Sequence, residues 1–121
     1  MPDASWGGDS VWNHANEWNS NEVTVATIGA GGQQNLGVAV VAGKKRVITE
    51  LTIRHAGTNN TVVTLLVAGG ATKLSLDVPY QTTRSWPIPG GRAFLAGEVS
   101  AVQTSDVVGG STYISASGVE A

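Results

Sequence analysis

The sequence predicts an all-β protein, a jelly-roll-like antiparallel β-sandwich of about eight strands preceded by an extended N-terminal arm. After about residue 22, short segments rich in Val, Thr, Ile and Leu follow one another, and turns rich in Gly, Asn and Pro separate them. No window of useful length carries the apolar period of a helix. Strands at this spacing are typical of sandwiches and barrels, and neighbouring-hairpin or Greek-key connections both satisfy the pattern.

The first 22 residues differ from the rest and form the predicted arm. They hold Trp6, Trp12 and Trp18 in a background of Gly, Asn and Ser, and their charged residues are all acidic. All seven basic residues of the chain lie beyond residue 43. The even spacing of the three Trp residues puts them on one side of an extended chain, whereas it would scatter them around a helix. We therefore divide the chain into an arm, residues 1–22, and a β-sandwich domain, residues 23–121.

Alternation of apolar and polar residues marks the strands of the predicted domain. It is clearest over residues 46–55, where the odd-numbered positions from Val47 onward fall on one face and Ile48 falls on the other. Pro87 and Pro89 lack backbone N–H donors and mark the end of a later strand as an edge or an exit. The predicted strands are 23–28, 37–42, 46–55, 61–68, 71–78, 82–88, 98–104 and 111–119.

Composition argues against several classes of function. Charged residues make up only 13% of the chain, against about 25% in an average soluble domain, so a partner protein can cover this surface with little desolvation of ions. The net charge of −2 gives no electrostatic basis for binding nucleic acid. Without cysteine there is no disulfide, thiol nucleophile or cysteine zinc site. No segment has the apolar length of a membrane span and no secretory signal pattern is present, so we expect a protein made in a cytoplasm, without a membrane partner.

No catalytic motif accompanies this composition. Nucleophile-elbow, zinc-protease, phosphate-loop and paired-carboxylate patterns are all missing from the sequence. His14 and His55 are the only imidazoles. A metal site at His14 would recruit Asp9 and Glu17, but this spacing has no specificity for a metal ion. We predict that the protein is not an enzyme, that it holds no metal or cofactor, and that His14 is an interface or solvated residue.

The only basic cluster is Lys44-Lys45-Arg46, at a predicted hairpin turn. One interpretation is a solvated turn that also protects an edge strand from pairing with other chains. The other is a contact with acidic protein surface, such as the acidic arm of a neighbouring copy. We include Lys44, Lys45 and Arg46 in the predicted interface.

The Trp residues of the arm carry most of the functional argument. Each ring offers roughly 150–250 Å² of surface that is costly to leave in water. The rings can fold back on their own domain, anchor the arm on another subunit, or form a platform for sugars. Aromatic side chains are the usual hot spots of protein interfaces, and we predict that Trp6, Trp12 and Trp18 anchor the arm on another subunit. Trp86 is expected to pack in the core or at its rim.

Four turn motifs punctuate the chain beyond about residue 36. Ala42-Gly43-Lys44 precedes the long strand, Gly69-Gly70 follows a Val-rich strand, and Pro89-Gly90-Gly91 and Ala96-Gly97-Glu98 precede the last strands. In these motifs the sequence resembles small β-sandwich domains of tailed-phage virion proteins. Such domains occur in capsid decoration proteins, head fibres and tail proteins, so the resemblance implies a virion part. Residues 1–35 lie outside the resemblance.

These observations lead us to expect a phage capsid decoration (cement) protein on the outside of the head, at the capsid surface of the virion. Its expected partners are the major capsid protein and other copies of itself, as a homotrimer. The alternative is a tail or head-fibre adhesion domain that binds host-surface glycans, which requires an exposed aromatic or polar groove on the sandwich. A small hydrolytic or metal-dependent enzyme would instead require His14 or His55 in a convergent polar pocket.

Overall fold

A computed structural model describes residues 16–121 of the chain. This part contains strands and one 3-10 turn at Ala30–Gly32, and none of its helices has the length and apolar character needed to cross a membrane. The strands, numbered in chain order, are β1 (Glu17–Asn19), β2 (Val23–Val25), β3 (Gln34–Asn35), β4 (Lys45–His55), β5 (Thr61–Val67), β6 (Thr72–Val78), β7 (Thr82–Leu95), β8 (Ser100–Thr104) and β9 (Thr112–Glu120).

The strands form two antiparallel sheets that pack against each other. In sheet A the order is β1 and β2 along one edge, then β9, β4 and β7, and in sheet B it is β3, β8, β5 and β6. The pairs β2–β9, β3–β8, β4–β7 and β5–β6 nest like one long hairpin. Further pairing of β9 with β4 and of β8 with β5 wraps this hairpin on itself. This is the wiring of a jelly roll, so the predicted fold class is confirmed.

The core lies between the two sheets and follows the alternation of each strand. In β5, for example, Val63 and Leu65 are fully buried while Val62 and Thr64 are only partly covered. Burying such a side chain contributes roughly 1.5–3 kcal/mol, so the core supplies most of the stabilisation of a chain with so few charged residues. The remaining core side chains include Leu36, Ile48, Leu51, Ile53, Val78, Phe94, Val102 and Ile114.

A bulge in β4 changes which residues face the core. The pairing of β4 with both neighbouring strands shifts between Ile48 and Glu50. Their partners on β9, Gly118 and Ser117, are consecutive, which leaves Thr49 as an extra residue opposite β9. An extra residue reverses the alternation of the strand from that point. Ile48 is therefore buried on one side of the bulge and Leu51 on the other, and the prediction of a single face running through the odd-numbered positions is wrong for Val47.

Two predicted strand assignments also differ from the structure. Residues 37–42 form a loop, and the strand in this region is the short β3 that precedes it. Two hydrogen bonds join the loop to the β7–β8 turn, because Val40 donates its N–H to Glu98 and accepts the N–H of Gly97. β7 does not end at its prolines but continues to Leu95. It lies at an edge of sheet A, where missing N–H donors are tolerated.

The chain between residues 17 and 25 runs along one edge of β9. β1 pairs with residues 117–119 and β2 with residues 112–114, and between them Ser20 exchanges two hydrogen bonds with Ala116. Where the sequence predicts an arm as far as residue 22, the structure therefore has part of sheet A, beginning at Glu17. Residues 1–15, which make up most of the predicted arm, lie outside the described residues.

Candidate functional site

The antiparallel strands define two ends of the sandwich. β4 runs from the near end, at Lys45, to the far end, at His55. The near end holds the loops 36–44, 68–71 and 96–99 together with residues 16 and 121, and the far end holds the loops 26–33, 56–60, 79–81 and 105–111.

At the near end, Arg46 is buried in a complete set of polar contacts. Its side chain is 1% exposed, and its Nε and Nη2 atoms both lie 2.8 Å from Glu120 Oε1. Nη1 donates to Ser100 Oγ at 2.9 Å, and Nη2 also donates to the carbonyl of Val38 at 2.8 Å. Burying a charge is unfavourable unless it is paired and hydrogen-bonded. Here every nitrogen of the guanidinium has an acceptor.

Trp18 covers this buried charge from the side of β1. The guanidinium carbon of Arg46 lies 4.2 Å from the centre of the Trp18 ring, within the range of a cation–π interaction. The ring also packs against the hydrophobic core. Gly37 approaches the ring so closely that a Cβ at this position would lie 2.9 Å from it, and its φ of +81° is a conformation that other residues rarely adopt.

These contacts correct the predicted roles of two residues. Arg46 does not form a surface cluster with Lys44 and Lys45, because alternation along β4 turns it inward while the two lysines stay exposed. Trp18 is satisfied by its own domain, which is the alternative that the sequence analysis left open for the arm. Trp6, Trp12 and His14 lie outside the described residues, and their interface role stays a prediction.

Exposed apolar side chains surround the place where the chain enters the domain. The carbonyl of Asn16 accepts the N–H of Glu120, and Lys45 exchanges two backbone hydrogen bonds with Ala121, so these residues meet at the near end. Among the large apolar residues nearby, Val38 is 76% exposed and Leu95 is 58% exposed. We call this region the arm-end surface, and it consists of Val38, Val41, Lys44, Lys45, Leu95 and Val119.

The arm-end surface has the composition of a protein-binding patch. It combines four exposed aliphatic side chains with two lysines, and the segment 1–15, which carries two Trp residues and no basic residue, is covalently joined to the domain beside it. Apolar groups provide the area that association removes from water, and charges at the rim favour partners of opposite sign.

At the far end, His55 belongs to a hydrogen-bond network that joins two loops. Its side chain is 1% exposed, its Nε2 donates to the carbonyl of Asn59 at 2.7 Å, and its Nδ1 lies 2.7 Å from the hydroxyl of Thr112. Asn59 in turn donates to the carboxylate of Asp106, which also accepts the N–H of Val108. These contacts fix the loops 56–60 and 105–111 against each other. His55 is therefore a structural residue inside the sheet rim.

A shallow groove of about 350 Å³ lies at the far end beside these loops. Its lining includes Asn60, Asp77, Pro79 and Ser105. A second depression of about 360 Å³ continues from Ser105 toward Ile28 and Val108. We call the first of these the far-end groove. The sequence analysis did not identify it, because its residues come from three separate loops and strands and no local motif joins them.

No group of three or more His, Asp or Glu side chains among residues 16–121 is arranged to hold a metal ion. The buried His55 has both ring nitrogens engaged. Trp86 packs against the core, with the guanidinium carbon of Arg84 3.7 Å from its ring centre.

Comparison with known proteins adds no relative. A scan against protein-family models gives no match, and a search of curated proteins gives no significant match.

Proposed function

We propose that this protein is a capsid decoration protein of a tailed bacteriophage, which binds the outside of the assembled head and stabilises it. The observation that carries the proposal is the arm-end surface. Exposed aliphatic residues, two lysines and the attachment point of a Trp-bearing segment all occur at one end of a rigid jelly roll. This arrangement suits binding to a large protein surface better than it suits catalysis.

The proposed interface has two parts. The segment 1–15 lies across the major capsid protein and uses Trp6 and Trp12 as anchors, because large aromatic side chains dominate the energy of interfaces. The arm-end surface rests beside it, with Lys44 and Lys45 toward acidic groups of the shell. The low proportion of charged residues keeps the desolvation cost of this contact small.

Trp18 and Arg46 have a supporting role in this proposal. They fix β1 against β9 and so hold Asn16, the residue to which the segment 1–15 is joined, in a defined place on the domain. A fixed attachment point lowers the entropy lost when the segment binds the shell. The sequence predicts that all three arm Trp residues contact a partner. In this proposal only Trp6 and Trp12 do so, and Trp18 supports the domain from within.

Stabilisation of the head follows from mass action. A protein that binds only the assembled shell stabilises it by about 2.7 kcal/mol per site when its free concentration is 100 times the Kd. Many copies act on one shell, so a modest contribution per copy has a large total effect. Assembly as a homotrimer would add avidity, because each further arm binds at high effective concentration.

The test is sedimentation of the protein with purified, undecorated heads. A variant carrying Trp6→Ala and Trp12→Ala should lose most of its binding, because both anchors are removed. Tyr80→Ala is the matched control, since it removes an exposed ring at the far end. Wild-type binding by the double variant, or equal loss in the control, would contradict the proposal.

A further inference from the structure

The far-end groove presents polar groups that the fold itself does not use. No hydrogen bond or ion pair within residues 16–121 involves the carboxylate of Asp77. Asn60 accepts the N–H of Tyr80 with Oδ1, and its Nδ2 donor is free of described partners. Ser105 accepts the N–H of Val62 with Oγ, which leaves its own O–H to donate. One acceptor group and two donor groups therefore belong to residues that line one groove.

Apolar faces lie next to these polar groups. Pro79 lines the groove, and the following residue, Tyr80, is 58% exposed. Tyr80 follows the groove lining by one residue, and its exposed ring is available for stacking against the C–H face of a sugar ring. The volume of about 350 Å³ is near the lower limit of small-molecule sites, which suits a ligand of one or two rings.

The loops that form the groove are held in place before any ligand binds. Thr61 accepts the N–H of Asp106 with its hydroxyl, and Gly57 accepts the N–H of Gln81, so the loops 79–81 and 105–111 are both joined to the β4–β5 connection. His55 also holds that connection, through its hydrogen bond to the carbonyl of Asn59. A groove with fixed walls loses little conformational entropy on binding.

The chemistry of the lining selects the class of ligand. No Lys or Arg lines the groove, and Asp77 repels anions, which disfavours phosphates and acidic sugars. A purely apolar ligand would offer no hydrogen-bond partner to the Asp77 carboxylate, the Asn60 Nδ2 group or the Ser105 O–H. A neutral sugar satisfies all of these groups, because its hydroxyls both donate and accept while its ring face is apolar.

We propose that the far-end groove binds a neutral saccharide, with Asp77 and Asn60 holding adjacent hydroxyls and Tyr80 stacking on the ring. The site is independent of the contact with the head. Because it lies at the opposite end of the sandwich from the arm-end surface, a decoration protein seated by its near end would present the groove outward.

The test uses the full chain labelled with ¹⁵N and the methyl glycosides of glucose, galactose, mannose and N-acetylglucosamine as probes. Backbone amide shifts are followed during titration of each sugar. At least one sugar should shift the amides of residues 60–62, 77, 78, 80 and 105, with a Kd in the millimolar range that is typical of small polar ligands in open sites. The near-end amides of residues 38–45 should not move.

Two variants and two controls decide the assignment. Asp77→Asn and Tyr80→Ala should each weaken the affinity about tenfold or more. Glu17→Gln removes a carboxylate at the near end, and Leu95→Ala truncates a side chain that is as exposed as Tyr80, so both controls should bind like wild type. Each variant's spectrum also reports whether it is folded.

Several results would overturn this proposal. They are no shift with any of the four sugars, shifts confined to the near end, or affinity unchanged in both groove variants. Glucosamine serves as a further probe. If it binds and neutral sugars do not, Asp77 is a site for cations instead. None of these outcomes bears on head binding, which the sedimentation experiment measures separately.

Discussion

The near and far ends of this sandwich are stabilised by different interactions. At the near end, the buried ion pair of Arg46 and Glu120 ties β4 to β9, and Trp18 shields it. At the far end, hydrogen bonds around His55 and Asn59 tie the loops together. A buried charge that loses its partner is much more costly than one lost hydrogen bond. We therefore expect a single change in the Arg46–Glu120 pair to destabilise the fold more than a single change in the far-end loops.

The largest expected effect comes from Glu120→Gln. This change leaves Arg46 buried without an opposite charge and should lower the free energy of unfolding by about 3–5 kcal/mol, measured by denaturant titration. The control is Glu22→Gln, which breaks the ion pair with Arg54 at 3.9 Å, where both side chains are about half exposed. That loss should stay below about 1 kcal/mol. Equal losses of unfolding free energy in the two variants would show that the buried ion pair is no more costly to break than the exposed one.

Trp18→Ala should have the next largest effect. The isolated protein should lose about 2–3 kcal/mol of unfolding free energy, because the variant exposes core surface and removes the stacking on Arg46. Trp6→Ala and Trp12→Ala should each change it by less than about 0.5 kcal/mol and act on head binding instead. If Trp18→Ala is neutral for stability but abolishes head binding, Trp18 belongs with the partner contacts.

His55→Leu tests the far end separately. It removes two buried hydrogen bonds and should lower the unfolding free energy by about 1–3 kcal/mol. Hydrogen exchange should accelerate in the loops 56–60 and 105–111 and stay unchanged in the loop 36–44. Ser85→Ala is the control. It removes an exposed hydrogen bond of 3.2 Å between the hydroxyls of Ser85 and Thr52, and it should leave the unfolding free energy nearly unchanged. Acceleration at both ends alike would show that the ends are not independent.

The smallest expected effect is the weakening of head binding when the two exposed lysines are replaced. Replacing Lys44 and Lys45 with Gln should weaken binding less than tenfold, because charges at the rim of an interface contribute little. The weakening should fade as ionic strength rises, since salt screens exposed charges. Arg54→Gln, at the far end, should leave binding unchanged. A salt-independent loss would mean that the lysines are buried in the interface.

The fold class follows from the sequence because strand spacing and turn residues are local signals. The strand over residues 61–68 is found almost as predicted, as β5, since its alternation holds from Thr61 to Leu65. Only at Leu66 does the register shift, so that two consecutive residues are buried. The loop 37–42 is as rich in Val as a strand, but its backbone pairs only briefly, through Val40. Its run of apolar residues reflects one buried side chain and two exposed ones, Val38 and Val41, at the arm-end surface.

The candidate site is less predictable because it depends on pairing between distant segments. In the sequence, Arg46 is part of a basic run, and only the bulge in β4 and the partner on β9, 74 residues away, make it a core residue. The far-end groove likewise joins Asn60, Asp77 and Ser105, which share no sequence pattern. The sequence does contain one signal for the position of Trp18. The valines of residues 23–25 predict a strand, and the residues just before them pair along the same edge of β9.

The nested pairing of the strands has a consequence for how the molecule is made. β9 lies in the interior of sheet A, between β4 and the edge formed by β1 and β2, yet it is the last of the nine described strands to be synthesised. Until it emerges from the ribosome, β4 and β2 have an unoccupied place between them and Arg46 has no counter-ion. The strands synthesised earlier therefore cannot complete sheet A before β9 is present. Slow formation of such distant contacts is expected to limit the folding rate. A nascent chain arrested before residue 112 should be sensitive to protease throughout, and the full chain resistant.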